Sequence, residues 1–312
     1  MKKILILGAD GFLGSNLAKS LLADKKYEIR AFDFFKDGIS RNLAGFEKKL
    51  EIFPGNFLNR FDLKKALEGM DFVFHYISLT TPGSSMKDPL IDVETNIKGT
   101  IILLEECVKA KVKKVIFSSS GGAIYGNQKK KILGEDDSQN PISPYAISKL
   151  AIEKYLEYYR LNHGLEYLIL RYSNPYGPSQ NIVGSQGIIP IFLNLVRQGE
   201  EITIFGDGEN VRDYIFIDDA IENTKKLAFK QNTKHRIYNI GKGEGATINE
   251  IVSAIQKAMG RKIKIKKMPA RSIDVRRVVL DISRAEKEIK YSRGVNLNDG
   301  IEKTWNWVMN LV

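Results

Sequence analysis

The chain has 312 residues, 43% of them apolar and 27% charged, as in a globular protein of one large domain or two unequal ones. No run approaches the roughly 18 apolar residues of a membrane span, and the short run Ile4–Leu7 leads into glycines rather than into a signal-peptide cleavage site. Cys107 is the only cysteine, which excludes an internal disulfide. We therefore expect a cytoplasmic protein without a membrane partner.

The net charge of +11 raises the question of a nucleic-acid partner. The lysines are scattered, and the densest runs, Lys129–Lys131 and Lys262–Lys267, fall in a predicted loop and a predicted strand without interleaved aromatic residues. This pattern favours a solvated lysine-rich surface and no nucleic-acid binding. A diphosphate substrate would still be attracted by the positive field.

Short apolar runs alternate with amphipathic stretches through the first half of the chain. The first predicted helix covers Phe12–Leu22. Strands are predicted at Lys3–Gly8, Tyr27–Phe32, Phe72–Tyr76 and Lys114–Ser119. Continuous Val, Ile and Phe runs of this kind are typical of parallel strands covered on both faces. The alternation predicts an α/β fold with a doubly wound, Rossmann-like parallel sheet.

The pattern loosens after about Asn174. Helices are predicted near Gly187–Arg197, Asn249–Met259 and Ile301–Met309, separated by short strands and loops. We predict a nucleotide-binding domain over residues 1–174 and a smaller, mainly substrate-binding lobe over 175–312, and leave open that the chain crosses back to the sheet.

A glycine-rich turn follows the first strand. Its sequence is Gly8-Ala9-Asp10-Gly11-Phe12-Leu13-Gly14, a G-x-x-G-x-x-G pattern that opens the first helix. The backbone N–H groups of such a turn, together with the helix N-terminus, can bind a pyrophosphate. Spacing alone would also suit a tight turn, but its place between strand and helix favours a dinucleotide site.

Asp33 stands at the end of the second strand, 19 positions after Gly14. A carboxylate there can accept hydrogen bonds from both adenosine ribose hydroxyls and would repel a 2′-phosphate. The cofactor is therefore predicted to be NAD rather than NADP, although Lys36 nearby leaves some room for a phosphate. No metal site is predicted.

Tyr145 and Lys149 are four residues apart in a predicted helix, so they share one face. An ammonium beside the phenol, aided by a positive nicotinamide ring, would lower the tyrosine pKa and suit it to take and return a proton. The alternative is an amphipathic helix with a lysine reaching to solvent.

A run of serines and glycines, Ser118-Ser119-Ser120-Gly121-Gly122, ends the strand that precedes this helix. A hydroxyl at that strand end could bridge the substrate oxygen and Tyr145. We favour Ser120 as this hydroxyl, with Ser119 as the alternative. The order of glycine turn, Asp33, strand-end serines and Tyr-x-x-x-Lys is difficult to obtain by chance.

These motifs resemble the extended short-chain dehydrogenase/reductase superfamily, particularly its NAD-dependent epimerase/dehydratase family, over nearly the whole chain. Further matching segments are Lys114–Gly126, Ser143–Lys149, Leu170–Pro178, Ile204–Ala220, Tyr238–Ile251 and the late Arg271, Asp274 and Asp281. The resemblance implies a nucleotide-sugar enzyme with Tyr145 as acid/base, Lys149 as its partner and Ser120 as the third catalytic group.

The resemblance also implies the binding residues. Those for NAD are Gly8, Gly11, Phe12, Leu13, Gly14, Asp33, Asn56, Phe57, Tyr76, Asn96, Ser118, Tyr145, Lys149 and Tyr172. Those for a UDP-sugar are Ser120, Tyr145, Asn174, Arg212, Arg271, Asp274 and Val278. Asn56 departs from the family pattern, which has an aspartate there, and this puts one polar contact to adenine in doubt.

The strand end also bears on the reaction. Dehydrating relatives carry Asp-Glu after a threonine where this chain has Ser120-Gly121-Gly122, decarboxylating relatives carry a glutamate, and reducing relatives a cysteine near the serine. Cys107 lies inside the preceding predicted helix instead. Epimerisation at C4 through a transient 4-keto sugar is the simplest fit. A 2-epimerase, a dehydratase, a reductase or a non-catalytic dinucleotide-binding protein remain the alternatives.

Val278 lies three residues before Asp281, where strict UDP-galactose enzymes of the family carry a bulky aromatic residue. A small residue would leave room for an acetamido group, so UDP-GlcNAc and UDP-GalNAc are allowed beside UDP-glucose and UDP-galactose. A core valine without bearing on specificity is nearly as good a reading. The resemblance further implies a homodimer, formed by the helices Asn96–Lys109 and Tyr145–Asn162 in a four-helix bundle.

Overall fold

The structure, a computed structural model, describes residues 1–35, 40–184, 187–270 and 275–311. Its strands are β1 (Lys2–Leu7), β2 (Tyr27–Asp33), β3 (Glu51–Pro54), β4 (Phe72–His75), β5 (Lys114–Ser120), β6 (Glu166–Tyr172), β7 (Asn174–Tyr176), β8 (Ile202–Phe205), β9 (Val211–Phe216), β10 (Ile237–Ile240), β11 (Gly245–Thr247), β12 (Ile265–Met268) and β13 (Arg277–Val278).

The helices are α1 (Phe12–Ala23), α2 (Arg60–Leu67), α3 (Pro82–Ser85), α4 (Pro89–Asp92), α5 (Lys98–Lys109), α6 (Pro144–His163), α7 (Ile188–Arg197), α8 (Ile217–Phe229), α9 (Ile248–Met259), α10 (Ser283–Glu288) and α11 (Leu297–Met309). Six of the helices correspond to predicted ones, and the predicted start of α11 was four residues late. A π-helical turn at Val93–Ile97 joins α4 to α5.

The described chain divides into two compact units. The first comprises Met1–Ser120, Ser143–Leu170 and His235–Ile237. The second comprises Gly121–Ile142, Arg171–Lys234 and Tyr238–Val312. That residues 1–174 bind the cofactor and residues 175–312 mainly the substrate stays a prediction.

A seven-stranded sheet has the order β10-β6-β5-β4-β1-β2-β3, and its strands β1 to β5 lie in the first unit. Its strands from β5 to β3 pair in parallel, with Ile4 opposite both Ile29 and Phe72. Ile4–Leu7 are fully buried, as expected of a central strand covered on both faces. The predicted fold class, a doubly wound α/β sheet with an additional C-terminal lobe, is confirmed.

The core on one side of this sheet is formed by α2, α5 and α6, which contribute Leu63, Leu104 and Ile152. Cys107 lies in the same core and is fully buried, as the sequence predicted, and burial raises the pKa of its thiol well above the ordinary value. This packing fixes α6, and therefore the residues α6 carries toward the strand ends, against the sheet.

The second unit contains a small mixed sheet centred on β9, which pairs with β7 and β13 in parallel and with β11 antiparallel. A separate parallel pair joins β12 to β8. The lysine run Lys262–Lys267 ends in β12, whose residues are all exposed, in keeping with a solvated surface. Among the described residues, no helix is long and apolar enough to cross a membrane.

Candidate active site

The glycine turn after β1 brings backbone close to backbone. Gly8 has φ +80°, and the N–H groups of Gly8 and Ala9 both donate to Phe32 O, which ties the turn to the end of β2. A Cβ atom on Gly14 would lie 2.1 Å from Gly8 O. No side chain fits there, so the first turn of α1, with Gly11, Phe12 and Leu13, stays open for a pyrophosphate.

Asp33 is held at the end of β2 by two backbone N–H groups, from Asp10 at 2.9 Å and Phe34 at 2.8 Å. Burial raises the pKa of its carboxyl group, and the neighbouring carboxylate of Asp10 raises it further. Asp10 itself orders the next loop by accepting from Ser40 and Asn42. Two carboxylates at this position suit a ribose diol and disfavour a 2′-phosphate, so the residues present fit NAD.

Three other predicted cofactor residues, Asn56, Phe57 and Tyr76, follow the ends of β3 and β4. Tyr76 directly follows β4, and a Cβ on Gly8 would meet its backbone at 3.2 Å, so the two chain segments are adjacent. Phe57 is buried, with its ring centroid 5.2 Å from that of His75, whereas Asn56 is exposed and accepts from Leu58 N. Phe57 thus contributes its ring to the core.

Helix α6 begins with sequence signals that position the catalytic pair. Ser143 is the N-cap and accepts from Ala146 N at 3.3 Å, and Pro144 occupies the first helical position. One residue later comes Tyr145, whose backbone N–H donates to Ser85 Oγ at 3.1 Å. Tyr145 and Lys149 are both buried on the same face of the helix.

The side chains at the end of β5 meet this face. Lys149 Nζ donates to Ser118 O at 2.8 Å and lies 5.7 Å from the centre of the Tyr145 ring. Ser120 forms a side-chain hydrogen bond with Tyr145. Ser119 Oγ instead donates to Glu153 Oε1 at 2.5 Å. Of the two candidate hydroxyls, Ser120 is thus the one bonded to the phenol.

Burial dominates the electrostatics of this pair of side chains. Burial raises the pKa of Tyr145 to about 12, against a smaller lowering by the hydrogen bond from Ser120. Burial also lowers the pKa of Lys149 to about 8. Among the protein's own groups, desolvation of the phenolate outweighs the stabilising hydrogen bond. The predicted lowering of the Tyr145 pKa also counted a positive nicotinamide ring, so for the protein with NAD it stays a prediction.

Two buried carboxylates beside this pair escaped the sequence reasoning. Asp92 and Glu153 both oppose the lowering of the Lys149 pKa. Asp92 accepts from Thr80 Oγ1 at 2.8 Å and from Asn96 Nδ2, while Asn96 Oδ1 accepts from Leu79 N at 3.0 Å. The available sequence signal was the i, i+4 spacing of Asp92 and Asn96, which predicts a shared helix face but not its burial.

Apart from Ser120 and Tyr145, the predicted substrate residues that the structure describes fall in the second unit. Asn174 begins β7, and its Nδ2 donates to Asp213 O at 3.0 Å. Arg212 lies in β9 and donates to Val211 O at 2.9 Å. Arg271 and Asp274 lie outside the described residues.

Val278 is opposite Arg212 in the β13–β9 register, but its side chain is buried beside Tyr125, Leu133 and Leu280. This placement favours the reading as a core valine. Tyr172, predicted to contact the cofactor, is also buried, and its hydroxyl shares a 2.6 Å hydrogen bond with Thr224.

A glycine turn for a pyrophosphate, a carboxylate for a ribose and a buried Tyr-x-x-x-Lys pair define a dinucleotide-dependent enzyme of the extended short-chain dehydrogenase/reductase type. Residues 4–241 match the model of the NAD-dependent epimerase/dehydratase family. The chain belongs to this family, as its motifs predicted.

Individual relatives extend the likeness over the full length. The chain is 34% identical over 312 residues to UDP-glucose 4-epimerase of Mycolicibacterium smegmatis, covering 99% of each chain. It is similar to Thermus thermophilus UDP-glucose 4-epimerase, solved with NAD (TM-score 0.92, 32% identity, coverage 99% and 100%).

It is also similar to Methanobrevibacter ruminantium UDP-N-acetylglucosamine 4-epimerase, solved with UDP-N-acetylmuramic acid (TM-score 0.91, 30% identity, coverage 99% and 98%). The protein is an NAD-dependent nucleotide-sugar epimerase, and the predicted cofactor NAD is confirmed.

Proposed function

We propose that the protein inverts the C4 hydroxyl of a UDP-hexose, interconverting UDP-glucose and UDP-galactose, with UDP-GlcNAc and UDP-GalNAc as a second pair. The observation that carries the proposal is the cluster of buried Tyr145 and Lys149 with half-buried Ser120, in which one phenol can both take and return a proton. The strand end supports the same reaction, because Gly121 and Gly122 supply no acid that could expel a neighbouring hydroxyl, as dehydration requires.

In the proposed reaction, Tyr145 Oη takes the proton of the C4 hydroxyl and later returns it to the C4 oxygen. Bound NAD supplies the hydride acceptor and donor for C4, together with a positive charge beside the phenol. Ser120 orients the phenol through their hydrogen bond. Lys149, held by Ser118 O, favours the phenolate while the proton is away.

Further substrate contacts are proposed for residues of the later part of the chain. Arg212 and Arg271 would neutralise the diphosphate, Asn174 would bond it, and Asp274 would accept from the uridine ribose. The likeness to both a glucose and an N-acetylglucosamine epimerase supports two sugar pairs. The small volume of Val278 is compatible with both.

The test is turnover without added cofactor. The purified protein is incubated with UDP-glucose, UDP-GlcNAc and UDP-glucuronic acid, and the products are followed by ¹H NMR. We expect the galacto product from the first two substrates, and loss of turnover by at least about 10³-fold in Tyr145→Phe. Tyr159→Phe, the same exchange on the same helix, is the control. Inversion at another carbon, or full activity in Tyr145→Phe, would refute the proposal.

We further propose that the protein forms a homodimer through α6. The exposed apolar side chains of α6 recur at helical spacing and form one stripe, consisting of Ile147, Tyr155, Tyr158 and Leu161. Leu103 and Leu104 of α5, and Ile152 and Leu156 of α6, are buried in the first unit's own core and are not part of this stripe. A solvent-exposed stripe of this kind favours association with a second helix.

A further inference from the structure

A fully buried carboxylate, Asp92, ends the short helix α4 next to the catalytic helix. Both α4 and the π-helical turn Val93–Ile97 pack against α6, which carries Tyr145 and Lys149. Asp92 is 0% exposed, and a carboxylate is rarely buried to this extent without a cation to balance it.

The hydrogen bonds of Asp92 account for only one of its two oxygen atoms. Oδ1 accepts from Thr80 Oγ1 and from Asn96 Nδ2, whereas Oδ2 is buried and has no hydrogen-bond partner among the described residues. Thr80 and Asn96 are neutral, so this network orients the carboxylate without compensating its charge. The balancing cation has to act from beyond the network.

The charge of Asp92 acts on the cation Lys149, whose pKa it raises, and to a smaller extent on Tyr145, whose pKa it also raises. The titratable groups that face Lys149 come from three elements: Asp92 from α4, His75 from β4, and Tyr145 and Glu153 from α6 itself. His75 is neutral, since burial lowers its pKa to about 3, and Glu153 is engaged with Ser119 Oγ. Asp92 is therefore the carboxylate with an oxygen atom that has no hydrogen-bond partner among the described residues.

We propose that Asp92 is the counter-ion of Lys149, a positioning residue whose negative charge keeps the buried lysine an ammonium so that the lysine can support Tyr145. The role of Tyr145 rests on the proposed function, but the ionisation of Lys149 can be measured independently of it. Asn96 and Thr80 then serve to aim the carboxylate rather than to take part in the reaction.

The experiment measures the titration of Lys149 in the purified protein with its bound NAD. Lysine labelled with ¹³C at Cε is followed by NMR from pH 6 to 11, and the Lys149 signal is assigned by its absence in Lys149→Met. In Asp92→Asn we expect the titration midpoint to fall by about one pH unit, because an opposite charge nearby is removed. The alkaline fall in kcat should move down with it.

Thr80→Val is the matched control, because it removes a hydrogen bond from Asp92 but leaves the charge. It should leave the Lys149 midpoint where it is in the wild-type protein. If Asp92→Asn does not fold, Asp92→Ser removes the charge while keeping an acceptor oxygen.

An unchanged midpoint in the Asp92 variant overturns the proposal, as does an equal fall in Thr80→Val, which would assign the effect to the network. A lowered midpoint in a protein that turns over no UDP-sugar would refute the proposed function but leave Asp92 as the counter-ion.

Discussion

At the scale of single residues, two adjacent serines at the end of β5 have different partners. Ser120 is bonded to the phenol of Tyr145, and Ser119 to the buried carboxylate of Glu153. The sequence S-S-S-G-G allowed either hydroxyl to be the catalytic one. The difference arises from which part of α6 each serine meets, and this follows from tertiary packing.

A pair of alanine variants separates the two roles. Ser120→Ala should lower kcat about 10- to 100-fold with little change in stability, since it removes a hydrogen bond to the reacting phenol. Ser119→Ala should lower the free energy of unfolding by about 1–3 kcal/mol and leave kcat within a few-fold, because it strips a donor from buried Glu153. Steady-state kinetics and urea unfolding of both variants decide the matter, and reversed effects would make Ser119 the catalytic hydroxyl.

His75 predicts how stability depends on pH. Its ring lies between Phe57 and Phe117, its Nε2 shares a 2.9 Å hydrogen bond with Thr100 Oγ1, and burial lowers its pKa to about 3. Between pH 6.5 and 3, the His75 imidazole is therefore protonated in the unfolded chain but not in the folded one. Within this window, the free energy of unfolding should fall by up to about 1.4 kcal/mol for each unit by which the pH is lowered.

The measurement is urea unfolding at several pH values from 7 to 4. His75→Phe, which keeps an aromatic ring, should show a shallower decline with falling pH than the wild-type protein. The same exchange at exposed His235 is the matched control for the substitution itself. Parallel slopes for wild type and His75→Phe would contradict the prediction.

Much of the site could be predicted from local sequence patterns, and the features that these patterns missed have one cause in common. Tyr145 and Lys149 are linked by helical spacing, and Asp33 by its position after a strand, so local sequence sufficed. Asp92 is 53 residues before Tyr145, and no local pattern states that it is buried or which cation it faces. The raised pKa of Tyr145 has the same origin, because the cost of burial depends on the folded surroundings.

At the scale of elements, the turn between β1 and α1 depends on the close approach of Gly14 to Gly8. In Gly14→Ala the new Cβ would lie 2.1 Å from a carbonyl oxygen, so the turn has to move and its pyrophosphate site opens. We expect purified Gly14→Ala to carry less than about a tenth of the NAD bound by the wild-type protein. Gly294→Ala, where a Cβ would meet nothing within 4 Å, should retain it.

Cofactor content is measured by absorbance and enzymatic assay of the NAD released on heat denaturation. Wild-type NAD content in Gly14→Ala would show that the turn tolerates a side chain. A loss in both variants would indicate a general instability instead.

Element boundaries were predictable where capping signals stood beside a clear period. α6 begins at the Ser143-Pro144 signal, and α1 was predicted to within one residue of its end. α11 begins at Leu297 rather than at the predicted Ile301, because Asn296 caps the helix by accepting from Asp299 N. The short strands β3, β7 and β11 have too few residues to show a period, and their pairing is decided by the rest of the sheet.

At the scale of the whole molecule, the exposed stripe on α6 predicts the oligomeric state. Ile147→Asp combined with Leu161→Asp places two charges on it and should convert a dimer into a monomer, because charged residues are costly at the buried centre of an interface. Light scattering after size exclusion gives the mass directly. Met309→Asp, on an exposed apolar residue of α11, is the control. A wild-type protein that is monomeric at micromolar concentration would refute the dimer.

The only thiol of the chain, that of Cys107, can report transient opening of the first unit. The sulfur is fully buried in the core of the first unit, and burial raises the pKa of the thiol. A thiol-reactive dye can therefore react with it only when that unit opens. The rate of labelling without denaturant would therefore measure how often the first unit opens. In protein from which the bound NAD has been removed, adding NAD back should slow the labelling, because a bound ligand stabilises the folded unit.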